Sequence, residues 1–95
     1  MAKLGTGSGW ADDYAESLTA AYTCTRKDSG KVFFLTGAFN VTLPSASIAG
    51  AGWHAKFINI SGNSTVNSVA MTAESDYVNV HCNGSDFYNA GSLAT

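Results

Sequence analysis

Residues 28–60 constrain this chain more than any other stretch. They read DSGKVFFLTGAFNVTLPSASIAGAGWHAKFINI. Asp28-Ser29-Gly30 is turn chemistry, because Asp bonds its own backbone two residues on and Gly permits positive φ. Residues 32–35 are strand formers. Phe39-Asn40-Val41-Thr42-Leu43 alternates strictly, so Phe39, Val41 and Leu43 are expected toward a core, with Asn40 and Thr42 away from it. Pro44 has no N–H to give to a ladder and ends that strand. Residues 45–52 are small except Ile48, which is expected to plug the core from the loop. Residues 53–60 resume as a strand.

The rest of the chain extends this pattern. Tyr22 and Cys24 mark an earlier strand. Residues 61–64 are a turn, and residues 65–72 and 77–82 are two further strands. Val78, Val80 and Cys82 should share one face of the latter, with Tyr77, Asn79 and His81 on the other. Asn83-Gly84 is a strong turn signal, and Phe87 and Tyr88 suit a last short strand. About six to seven short strands at roughly 8–12-residue spacing favour a small β-sandwich or barrel-like domain, all-β in class, over helical or βαβ designs. No internal repeat is visible in the sequence.

The N-terminus differs in composition. Residues 1–9 are rich in Gly, Ser and Thr and read as a flexible arm. Trp10, Tyr14 and Leu18 recur every four residues and would share one face of a short helix, with Asp12 as its cap. That face either covers the open end of the domain's own core or docks on another protein. The division expected is an N-terminal arm over residues 1–19 and a β domain over residues 20–95. Trp10, Tyr14 and Leu18 are the expected contact residues.

Bulk numbers exclude several functions. The 95 residues suit one domain. Only 13% of residues are charged, against about 25% in typical domains, so part of the surface is expected to pack against something else. A net charge of −2 argues against nucleic acid. No apolar run is long enough to span a membrane, and the N-terminus does not read as a secretory signal. Cys24 and Cys82 are expected to be free and buried. His81 and Cys82 are neighbours in a strand and point to opposite faces, so they make no shared metal site. Glu74 and Asp76 straddle a turn but supply too few oxygens for calcium. Ser29 lacks a nucleophile elbow, so no catalytic residue and no cofactor are expected. The sequons at Asn40, Asn59, Asn63 and Asn83 are read as by-products of Asn/Ser/Thr-rich β sequence. Trp10, Tyr14, Trp53, Tyr77 and Tyr88 suit either packing or a sugar-binding platform.

The order Thr25-Arg-Lys-Asp-Ser-Gly30-Lys-Val-Phe-Phe-Leu35, then Val41-Thr-Leu-Pro44, a Gly-Ala loop and Phe57-Ile58-Asn59 resembles a module of tailed-bacteriophage virion proteins. It resembles small capsid decoration (cement) proteins, and related modules occur in tail-associated proteins. The resemblance covers residues 25–60 well and 61–95 loosely, and Trp53-His54 departs from the pattern. It implies a β-rich homotrimer on the exterior of the head shell, with the major capsid protein as partner and no enzymatic role. A reaching arm fits such a protein. Ordering nine residues costs on the order of 10 kcal/mol, which several arms in one trimer would share. The alternative reading is a tail- or fibre-associated module that recognises host glycans.

Overall fold

The computed structural model describes residues 14–94. The chain there is mostly β, in two mixed sheets with one short helix. The strands are β1 (Ala15–Leu18), β2 (Tyr22–Thr23), β3 (Val32–Thr36), β4 (Asn40–Thr42), β5 (His54–Ser61), β6 (Ser64–Val66), β7 (Val69–Met71), β8 (Tyr77–Cys82) and β9 (Phe87–Leu93). A 3₁₀ turn spans Arg26–Asp28, and helix α1 spans Ala46–Ala49.

The topology is a coil. A five-stranded sheet has the order β1-β3-β5-β8-β9, and a four-stranded sheet the order β2-β4-β6-β7. The chain alternates between them, so β1, β3 and β5 run parallel in one sheet while β2, β4 and β6 run parallel in the other. Parallel neighbours need a long crossover, and here the strand of the opposite sheet supplies it. The last three strands turn back antiparallel. The structure thus repeats a two-strand coil where the sequence shows no repeat.

One apolar cluster lies between the sheets. Leu18, Phe33, Leu35, Ala55, Phe57, Val78, Val80 and Cys82 come from the five-stranded sheet, and Val41, Val66 and Met71 from the other. Phe33 and Phe57 stack across neighbouring parallel strands with centroids 5.1 Å apart. Val41 is buried as expected, while Phe39 and Leu43 are partly buried against the cluster. Cys24 and Cys82 are buried free thiols.

Four expectations need correction. Ile48 does not plug the core; it is 64% exposed, and Ala49 is buried instead. Residues 46 and 49 stack on one side of a helical turn, which turns Ile48 outward. Residues 65–72 are not one strand, because Asn67 and Ser68 take φ of 48° and 69° and make a two-residue hairpin turn between β6 and β7. Leu18 does not stand on a helical arm; Ala15–Leu18 is a strand paired with β3, and Leu18 opposite Leu35 is buried. A boundary between residues 19 and 20 therefore cuts the first strand away from its sheet. A period of four in Tyr14 and Leu18 suits a strand as well as a helix, and the apolar partner Leu35 decides the outcome.

Candidate functional site

The turn at Asp28-Ser29-Gly30 is a structural knot. Asp28 is buried. Its Oδ2 accepts from Tyr22 Oη at 2.9 Å and from the Thr25 N–H at 2.8 Å. Its Oδ1 pairs with Lys31 Nζ at 3.0 Å, and Lys31 also reaches Glu16 at 3.1 Å. Burial opposes ionisation of Asp28, but the bonds from Thr25, Lys31 and Tyr22 outweigh it and hold the carboxyl below its usual range. Burial, and then the bond to Asp28, push the Tyr22 phenol up to about 12. Gly30 (φ +88°) donates to the His54 carbonyl at 2.7 Å, tying this turn to the start of β5. The Asp28 carboxylate and the Gly30 N–H are thus spent on structure, the first within the turn and to β2, the second to β5.

A candidate binding surface is the outward side of the five-stranded sheet. Partners in register share a face. The rows Ala15–Val32–Lys56–Asn79 and Ser17–Phe34–Ile58–Tyr77–Leu93 point away from the core, as does His54–His81–Tyr88. Val32, Phe34, Ile58 and Tyr77 are half-buried, while Leu93 and Tyr88 are 50% and 55% exposed. Lys56 lies over the Tyr77 ring at 5.2 Å and is the one cation in these rows. Apolar side chains dominate one end of the face, and rings that carry a polar atom occupy the other.

The residues expected to make contacts fall in different places. Trp10 lies outside the described residues. Tyr14 is exposed, and Leu18 belongs to the core. Trp53 is buried; it packs edge-on against Phe87 and donates its indole N–H to the Thr25 carbonyl. It is therefore unavailable to a sugar platform, whereas Tyr77 and Tyr88 stand on the outward face. Asp76 caps the turn before β8 by accepting from the Thr72 and Ala73 N–H groups at 2.9 Å, and Glu74 is exposed. Asn59, one of the sequon residues, is fully buried and donates to the Gly62 and Ala73 carbonyls. Among the described residues no three His, Cys, Asp or Glu side chains cluster as metal ligands would.

Sequence reasoning missed Val32, Phe34, Ile58 and Leu93 as surface residues. A signal existed for two of the strands. VFFL and FINI lack strict alternation, and a strand apolar at consecutive positions presents apolar side chains on both faces.

No family model matches the chain, and neither does any curated protein or any solved structure. No helix among the described residues is long and apolar enough to cross a membrane.

Proposed function

We propose that this chain is a structural binding protein of a tailed-bacteriophage particle. In this reading it is a capsid decoration protein, on the capsid exterior, that binds the assembled head shell as a homotrimer. It stabilises the shell by bridging subunits of the major capsid protein, without catalysis and without a cofactor. Its architecture is a small sandwich with an N-terminal arm that adds contacts to the shell. Affinity for the assembled state alone is enough to stabilise that state.

The observation that carries this reading is the outward face of the five-stranded sheet, apolar at Val32, Phe34, Ile58 and Leu93 and poor in charge. Apolar side chains gathered on an outward sheet face are what an interaction site needs. The resemblance of residues 25–60 to decoration modules supplies the kind of partner. The stack of parallel coils favours a second reading, a tail- or fibre-associated module. Stacked coils build elongated stalks, and exposed Tyr88 and half-exposed Tyr77 suit glycan contact.

Quantitative mass spectrometry on purified particles of the virus that carries this chain separates the two. Hundreds of copies per particle support a decoration protein, and a handful supports the tail module. Absence from the particle sinks both.

A further inference from the structure

The chain has two histidines, far apart in sequence, and the fold sets them opposite each other. His54 on β5 and His81 on β8 are direct partners across the antiparallel ladder. Their rings lie face to face, with centroids 5.5 Å apart and planes 19° from parallel. Both side chains are exposed. His54 Nδ1 lies 3.0 Å from the Gly52 carbonyl oxygen. A carbonyl only accepts, so Nδ1 is the donor in this contact, and in the neutral ring that leaves the Nε2 lone pair for a ligand. That carbonyl is held in place: the Gly52 N–H donates to Cys82 O at 2.8 Å, and the Cys82 N–H returns a bond to Trp53 O at 2.8 Å.

We propose that His54 and His81 form a two-imidazole site for a divalent late transition-metal ion, of which zinc, copper and nickel are the candidates. Imidazole suits these ions. An imidazole that binds metal through one nitrogen characteristically gives its other N–H to a carbonyl, as His54 does to Gly52. Metal–nitrogen bonds of about 2.0–2.1 Å bring the two ligating atoms to roughly 3 Å from each other. With His54 kept on the Gly52 carbonyl, the exposed His81 ring directly opposite it is the one that turns about its side-chain bonds to bring the second nitrogen to the ion. Lys56 shares this face two residues along β5, but its ammonium is drawn over Tyr77. Tyr88, in register with His81 on β9, stands on the other side of the pair. Water fills the remaining coordination positions.

The test uses the tag-free full chain, titrated with Zn²⁺ and with Cu²⁺ by calorimetry and by NMR. Saturable binding of one ion per chain is expected, with the signals of His54 and His81 responding first. Melting should rise with added ion, because the ion binds the folded chain in preference. Binding should weaken on acidification, since the ligating nitrogens must be unprotonated. His54→Gln and His81→Gln, each confirmed folded by circular dichroism, should each weaken binding at least about tenfold. Wild-type affinity in either variant, or no heat and no shift at millimolar ion, overturns the site.

Discussion

At the scale of single residues, a buried carboxylate and a crowded glycine carry the clearest consequences. Asp28 serves Tyr22, Thr25 and Lys31 at once, so Asp28→Ala takes the acceptor from the Thr25 N–H and the Tyr22 hydroxyl and should cost roughly 1–3 kcal/mol in a denaturant titration. Its folded pKa is depressed, so its contribution is complete above the ordinary carboxylate value near about 3.9 and is lost as pH falls through the lower folded value. The opposite sign holds at high pH. Tyr22, and Cys24 whose thiol burial pushes up to about 12, contribute stability below their unfolded pKa values and lose it as pH rises toward about 12. Melting temperatures measured against pH should therefore fall off at both ends, and Asp28→Asn should remove the acid limb due to this residue. Gly62 is constrained by its neighbour in space. A Cβ there would run into the Gly37 carbonyl, at φ +87°. Gly50 has the same φ and nothing within 4 Å. Gly50→Ala should cost only the backbone strain of about 1–3 kcal/mol, and Gly62→Ala clearly more. Equal midpoints for the two variants would refute the close approach of the turns.

At the scale of elements, turn geometry and strand patterning decide how the coils close. The β6–β7 hairpin needs positive φ at both Asn67 and Ser68, and the second position of such a turn prefers glycine. Ser68→Gly is thus expected to raise stability by about 0.5–1 kcal/mol, read from the shift in urea midpoint. The strands between the sheets answer to ordinary core rules: Met71→Ala, fully buried on β7, should lose roughly 2–5 kcal/mol. On the outward face the rules differ. Phe34 and Ile58 sit side by side across β3 and β5, and replacing either with Lys should leave the fold intact while weakening the proposed trimer, read by light scattering. Loss of the folded state in both variants would show that these side chains act as core.

At the scale of the whole molecule, the first strand separates an arm from a domain differently than composition suggests. Removing residues 1–18 takes β1 and Leu18 out of the sheet. A chain starting at residue 19 should therefore unfold at lower denaturant than one starting at residue 14. Matching midpoints would restore the boundary after residue 19. The trimer proposed for the particle predicts a mass three times that of the chain in solution or on the shell. A monomer in both settings argues against it.

How much of this was legible in the sequence follows from the range of the forces involved. Local chemistry determined the turns at Gly30, Gly62 and Asn83-Gly84, the strand around Val41 ended by Pro44, and the buried face of Val78, Val80 and Cys82. Each depends on period-two alternation or on φ preferences within a few residues. The β6–β7 turn escaped because Asn67-Ser68 is a weak form of the Asn-Gly signal. Ile48 was misplaced because one turn of helix reverses which small-loop residue faces inward. Only the tertiary structure decided that the strands coil in parallel through two sheets, since pairing partners are chosen by long-range packing such as Phe33 on Phe57. It alone set His54 against His81 and gathered Val32, Phe34, Ile58 and Leu93 on one outward face. Alternation says that a strand has two faces; the sheet it joins decides which neighbours share them.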